Sequence, residues 1–506
     1  MKPFSAIRSG LSKMGAWWSG YEGGNISRER PQMPYYRAFN ADEEKHLSFC
    51  ARERLVLSME DLYRNNEIFH GVSNRMADYV VHTGIHPMPQ TSSKEWNHDA
   101  EHWFKQWSKI ADFMQRPSVD FGVMQWQTIV DRIVRGESGF VLIDNGQLQA
   151  VDMLRVRTPE KFETDGNVHD GMKLDSVGRP LGYFVCDRKD GYIDTSSFSF
   201  VPKENFIHVA SPWRVDQKRG IPAAAAIYGK LADMREADKY TLLKLKNDAK
   251  QFLKITRQGG GGFANEIPRA SGVAKDTAGN MQQVSAHDWG QEWRMKPGED
   301  VSSFDSKTPG QYHVAYLEWQ LKVIASALGL PWEFVIMVFT DGSFSAQRSA
   351  LLHALHKFIN WHHWLNASLN RRVWNWRIAK AMKEGDIDKA PLDKNGVSEW
   401  HKCAWALPNM GWVDPEASVK ANVLAWNLGN MSLKRICAQE GFDRDDVLTE
   451  KAGDISAAIE QADALNKAHP GAAITWRDII NAATTITDKG CIGGEPVSAT
   501  GSEVTK

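Results

Sequence analysis

Two histidines three residues apart, His353 and His356, precede the pair His362 and His363 in a segment with helical apolar spacing. Histidines at i and i+3 share a helix face and can hold a metal ion. Spacing supplies no third ligand, and no His-Glu-x-x-His occurs in the chain, so packed or exposed histidines are the expectation. Gly136-Glu137-Ser138-Gly139-Phe140 partly matches a nucleophile elbow. A strand follows the serine, however, where that motif needs a helix. Asp300 and Asp341 are lone loop carboxylates that spacing pairs with no second acid or base. The glycine run 259–262 is followed by no Gly-Lys-Ser/Thr, so it is not a phosphate loop. Cys50, Cys186, Cys403, Cys437 and Cys491 form no Cys-x-x-Cys pair. Neither a disulfide framework nor a zinc site is signalled, and a reducing compartment is expected. The chain reads as a non-enzyme without metal or cofactor, in a structural or assembly role.

One pattern remains that could meet a ligand. Residues 221–255 read as a very long helix, with Pro222 allowed in its first turn. Leu231, Met234, Leu242, Leu245 and Phe252 share one face at about 100° per residue. Arg235, Lys239, Lys246, Lys250 and Arg257 share the neighbouring stripe. Such a stripe either meets phosphates or is a solvated face paired with acids on a neighbour. The twenty tryptophans are ambiguous in the same way, either core or anchors for another subunit.

The elements that position these residues follow from periodicity. Residues 1–40 read as an arm. Helical spacing runs over 41–81, 96–116 and 125–135. The period then changes to two. Asp144-Asn145-Gly146-Gln147 joins 140–143 to 148–154 as a hairpin, and 172–174 with 183–185 forms a second. Residues 198–201 and 206–209 add strands. The segment 257–305 reads as a small loop-rich module. Helices are expected again over 312–328, 345–382, 415–428, 432–439 and 454–467. Residues from about 489 read as a disordered tail. The fold class is α+β.

Bulk properties narrow the function. With 506 residues, about three domains are expected. There are 61 Lys+Arg against 62 Asp+Glu, a net charge of −1, which excludes a DNA-coating basic protein and an acidic solvating tail. The first twenty residues lack the apolar core of a signal peptide. The most apolar stretch, 324–339, is broken by Pro331 and Glu333, so no membrane association is expected.

Several short patterns then stand in one order. Leu62-Tyr63-Arg64-Asn65-Asn66, Gly71-Val72 and Gly84-Ile85 come first, then Gly136-Glu137 before a strand. Ile207-His208-Val209, Pro212-Trp213-Arg214 and Gln217-Lys218-Arg219-Gly220-Ile221-Pro222 follow. Pro297-Gly298-Glu299, Phe304, Ile324-Ala325, Gly329-Leu330-Pro331, Ser343 to Ser349 with Arg348, and Trp412-Val413-Asp414-Pro415 complete the series. Over roughly residues 35–440 the ordered set resembles the lambda-type bacteriophage portal proteins. Two patterns depart from that family. Its loop reads Asp and then Tyr-Ser-Ser-x-Arg, where this chain has Asp341-Gly342-Ser343-Phe344-Ser345-Ala346-Gln347-Arg348. Its Arg-Pro-Gly-Gln is replaced by Arg214-Val215-Asp216-Gln217.

The resemblance implies a twelve-subunit homo-oligomeric ring at one capsid vertex, through which double-stranded DNA is packaged and ejected. The implied partners are the terminase large subunit, the major capsid protein or scaffold, and head-tail connector proteins. The implied location is the virion, with host cytoplasm during assembly. The implied division is an arm (1–40), a wing (41–220 and 351–410), stem helices (221–256 and 306–333), a clip (257–305), a channel loop (334–350), a helical crown (411–488) and a tail (489–506). Thr340, Asp341, Gly342, Ser343, Phe344 and Ser345 would then face the lumen, Arg348 would hold the base of that channel loop or reach a phosphate, and the basic stripe would line the bore. Trp289 and Trp293 would anchor terminase or connector on the clip. The helix–module–helix excursion, the near-neutral charge and the position of the 340–345 loop agree with this from the residues alone. Two other classes remain: another ring-forming virion protein of tail or baseplate, and an enzyme whose site is scattered over the α+β region.

Overall fold

A computed structural model describes residues 47–215, 217–248, 253–257, 274–275, 281–282, 299–303, 311–338, 344–406, 415–439, 444–469 and 474–480. The expected arm and tail, Lys250, Phe252, Trp289, Trp293 and Thr340–Ser343 lie outside these residues. Among the described residues no helix is long and apolar enough to cross a membrane.

The chain opens with α1 (Phe49–Asn65) and α2 (Glu67–Val81). These are two helices where one run over 41–81 was expected. Asn66 separates them in extended conformation, and its side chain accepts the Phe69 N–H at 2.9 Å to start the second. Strand β1 (Pro87–Pro89) precedes α3 (Lys94–Ser108) and α4 (Phe121–Val134), capped by Ser93 and Asp120. The strand-rich stretch follows: β2 (Glu137–Leu142), β3 (Leu148–Val151), β4 (Val168–His169), β5 (Met172–Leu174), β6 (Pro180–Lys189), β7 (Tyr192–Pro202) and β8 (Phe206–Ala210). Next come α5 (Tyr228–Asp248), β9 (Leu253–Arg257), β10 (Ala274–Lys275), β11 (Met281–Gln282), β12 (Glu299–Ser303) and α6 (Gln311–Leu328). A short α7 (Trp332–Ile336) leads to α8 (Phe344–Leu365), a π-helical turn (Asn366–Asn370) and α9 (Arg371–Glu384). Strand β13 (Cys403–Trp405) and helices α10 (Pro415–Asn427), α11 (Leu433–Gln439), α12 (Arg444–Ala468) and α13 (Trp476–Ile480) complete the described chain.

The 221–255 expectation needs correction. The helix proper is Tyr228–Asp248, preceded by a 3-10 turn at Ala225–Ile227. Leu253–Arg257 is a strand that pairs antiparallel with β12, Arg257 opposite Glu299 and Leu253 opposite Ser303. Its alternating Leu, Lys, Ile, Thr and Arg suit a strand, and the distant partner decides between the two periods. A second difference lies at the expected 334–350 loop. Its first residues belong to α7, and its last, including Phe344, Ser345 and Arg348, form the first turns of α8.

The chain divides into two compact units. The first holds residues 1–72, 214–217 and 221–342. In it α5 packs against α1 and α6, burying Leu231 and Met234 on one helix and Ile324, Ala325 and Leu328 on the other. The second holds residues 73–213, 218–220 and 343–506. Its two larger sheets run in the orders β3-β2-β8 and β4-β5-β6-β7, every neighbour antiparallel. Val151, Met153, Val156, Met172, Leu174, Tyr183, Val185 and Phe206 fill one core between their strands. The helical part closes on aromatic rings. Phe104 lies 4.9 Å from Trp107 and 5.3 Å from Trp374, centroid to centroid, and Trp374 donates its indole N–H to Trp400 O at 2.9 Å.

Candidate functional site

The segment Arg219-Gly220, singled out in the sequence, is the most tightly held polar feature of the second unit. Glu137 opens β2 and is buried, and Arg219 reaches it with Nη2 at 2.6 Å and Nε at 3.1 Å. The other Arg219 donors go to Met153 O at 2.9 Å, Val156 O at 3.0 Å and Asp170 O. Glu137 also accepts the Gly220 N–H at 2.9 Å and lies 2.9 Å from His208 Nε2. Burial alone would lower the guanidinium pKa, but the Asp170 and Glu137 carboxylates outweigh it and hold the group above its usual value. Gly220 is required by space. A Cβ there would stand 2.2 Å from Gly136 O and 2.7 Å from Glu137 Cβ. The arrangement fixes the chain just after β8; every member is consumed in holding another, so it presents no free nucleophile. Sequence reading named both motifs without pairing them. The signal was an acid inside an otherwise apolar strand, which needs a buried cation.

In the first unit α5 and α6 pack against each other, and β9, which follows α5 in sequence, pairs with β12, which precedes α6. Of the expected basic stripe, Lys239 and Lys246 are exposed on α5. Arg235 lies 3.3 Å from Asp61 on α1, a solvated ion pair. Arg257 falls in β9 rather than on the helix. The structure therefore brings Arg235, Lys239 and Lys246 onto one helix and separates Arg257 from them. A shallow depression of about 200 Å³ between α1, α2 and α5 is lined partly by Asn66, Leu231, Met234 and Arg235. Of its lining, Asn66 is engaged by the Phe69 N–H and Arg235 by Asp61.

The apolar stripe of α5 is buried only at its start. Tyr240, Leu242 and Leu243 are exposed, as are Val314, Tyr316 and Trp319 on α6, with Tyr240 at 61% and Trp319 at 63%. The tryptophans thus divide. Trp96, Trp107, Trp361 and Trp374 are buried, whereas Trp213, Trp319 and Trp426 stand in solvent.

The four histidines of α8 have different fates. His353, His356 and His363 are exposed. His362 is buried and gives Nε2–H to Ala406 O at 2.9 Å, while its Nδ1 accepts from Asn366 Nδ2 at 3.0 Å. Burial pushes its pKa down to about 4. Asn366 Oδ1 accepts from Asn370 at 2.6 Å, and Asn370 Oδ1 accepts from Gln125 at 3.0 Å. The ring is thus a structural member of a buried chain of amides. Among the described residues no cluster of three or more His, Cys, Asp or Glu could hold a metal. A feature the sequence did not reveal is Arg132. Its guanidinium lies between two indoles, 4.2 Å from the Trp361 ring and 4.1 Å from Trp364, and gives one hydrogen bond to Ser211 Oγ at 3.0 Å. Burial pulls its pKa down to about 10.

The family model described as phage portal protein, lambda family, matches residues 31–361. The portal protein of Escherichia phage N15 is 21% identical over 336 residues, 60% of this chain and 62% of that protein. Portal protein B of Escherichia phage lambda is 19% identical over 336 residues, 60% of this chain and 61% of that protein. The chain thus spans about three fifths of the length of these curated relatives. Among solved structures, a chain in the neck of an empty GTA particle has TM-score 0.43 at 13% identity, covering 77% of this chain and 93% of the other. A chain of the native gene transfer agent virion has TM-score 0.42 at 13% identity, with the same coverages.

Proposed function

Because the chain belongs to the lambda family of phage portal proteins, we propose that twelve copies form the ring at one capsid vertex through which double-stranded DNA enters and leaves. In this reading α5 and α6 are the stem, the segment 257–305 between them is the clip, the strand-rich part with α8 and α9 is the wing, and residues 411–488 are the crown. The chain hydrolyses nothing. It forms the passage, and the terminase motor, capsid shell or scaffold, and head-tail connectors dock on it. The loop nearest the DNA is then residues 340–343, ahead of α8, with Phe344, Ser345 and Arg348 on the first turns of that helix. Trp289 and Trp293 serve as docking anchors on the clip. Lys239 and Lys246 offer the bore a sparse positive charge, which suits a passage better than a dense one. A strongly basic bore would release many counterions on binding and hold the duplex in place.

The observation that carries this reading is the unfinished burial of the stem helices. Large apolar side chains on α5 and α6 stand in solvent in the single chain, and a soluble protein does not leave such a face uncovered. In a closed ring each copy covers the face of the next. The test is the mass and symmetry of the purified protein by mass photometry and negative-stain averaging. Twelve copies of a 57.0 kDa chain give a particle of about 684 kDa, seen as an annulus with a hole wide enough for a duplex. A chain that stays single when capsid and scaffold proteins are supplied defeats the reading.

A further inference from the structure

The helix continuous from Phe344 to Glu384, through the π-helical turn, contains no aspartate or glutamate before its last residue. It carries seven Lys and Arg in a chain whose charges otherwise cancel. Three of these cations are engaged internally. Arg372 donates to Phe206 O at 3.1 Å, and Arg377 and Lys380 lie 3.3 and 3.1 Å from Glu384. The others include Lys357 and Arg371. With His353, His356, Asn360 and His363 they fall on one side of the helix; five of these six residues are exposed and Lys357 is half-buried. Among the described residues none of the five cationic or imidazole side chains is in an ion pair.

The stripe is held firmly from behind. Lys357 Nζ lies 5.4 Å from the centroid of the Trp361 ring, whose indole also packs against Arg132. Lys357 and Arg132 therefore meet over one ring with no carboxylate between them, and burial together with Arg132 pulls the lysine pKa down. Placing two cations together costs free energy unless an anion from outside the chain offsets it.

We infer that the stripe of exposed His353, His356, Asn360, His363 and Arg371 with half-buried Lys357 is a contact surface for the phosphate backbone of double-stranded DNA. From residue 353 to residue 371 the stripe is about 27 Å long at 1.5 Å rise per residue. Hydrogen-bond donors (Lys, Arg, imidazole and amide) line it without an acceptor carboxylate, the composition of backbone contacts that position a duplex without reading its sequence. The choice of duplex DNA as the polyanion rests on the portal reading. The stripe itself rests on charge and spacing.

The test measures binding of the full-length protein to a fluorescent 30-base-pair duplex by anisotropy, across a salt series, alongside mass photometry. The wild type binds, and its affinity falls as salt rises. Lys357→Gln with Arg371→Gln removes two phosphate contacts, so it binds roughly tenfold more weakly at 100 mM salt and its log–log salt slope falls by about 2. Adding His353→Glu and His356→Glu weakens binding further. Unchanged affinity and slope in the double variant overturn the inference, as does a wild type that binds no duplex. A variant that keeps duplex binding but loses its rings also overturns it, because the stripe then meets a neighbouring subunit. If the wild type never forms rings yet shows stripe-dependent duplex binding, the portal reading fails and this surface stands.

Discussion

At the scale of single residues, the Arg219–Glu137 pair gives the sharpest expectation. Five guanidinium donors serve two carboxylate oxygens and three carbonyls, and no other side chain offers that fork. Arg219→Ala leaves a buried carboxylate without its cation and should cost about 3–5 kcal/mol. Urea denaturation measures this, and a midpoint equal to that of the wild type would show the pair to be dispensable. Arg219→Lys should recover little, since one ammonium cannot span those acceptors. His362 carries a pH expectation. Its folded pKa of about 4 lies below the ordinary imidazole value of 6.5, so the unfolded chain binds the proton first as pH falls. Stability is full above about pH 6.5 and declines down to about pH 4, by about 3 kcal/mol, where the native ring protonates too. A melt series over that range should be flatter in His362→Gln, and parallel curves would refute the assignment. Both residues stood in motifs the sequence exposed. The partners were hidden because Glu137 and Arg219 are far apart in the chain, and because a buried neutral histidine and a metal-binding one look alike as letters.

At the scale of elements, local signals located most helices and left their ends to tertiary contacts. The spacing over 312–328 matches α6 closely. The 221–255 helix was overextended because helical and strand periods both fit Leu253–Arg257, and pairing with β12 settled the matter. The strands expected over 183–185 and 198–201 are parts of one long hairpin, β6 and β7, paired from Gly182–Pro202 to Lys189–Tyr192. Asp190-Gly191 turns it, with φ of +52° and +84°, the mirror-image turn that matches strand twist. That dipeptide was legible and went unread, since Tyr192–Ser197 is too polar to suggest a strand. Gly191→Ala places a Cβ in the left-handed region with open space around it, so the cost is conformational alone, about 1 kcal/mol. A small drop in thermal midpoint with unchanged circular dichroism is the expected result. A gain in stability would mean that the turn is not formed as described.

At the scale of the whole molecule, the question is why so much apolar surface is left on a chain of net charge −1. Charge repulsion is too weak to keep copies apart, so in the proposed ring the exposed residues on α5 and α6 serve as the surface between copies. The sequence marked the helical stripe but could not divide it into a buried half and an open half. That division depends on where α1 and α6 pack against α5. The buried start of the stripe holds one chain together, and in the proposed ring its open end meets another copy. The two halves should therefore respond differently to the same kind of change. Leu243→Glu with Trp319→Glu alters side chains already in solvent, so the single chain should melt as before while assembly fails and the measured mass falls to 57.0 kDa. Leu231→Glu puts a charge into a fully buried position and should abolish folding itself. Rings that persist in the first variant would show that copies meet through another face. Loss of the melting transition in that variant would show that these side chains serve the fold of one chain instead.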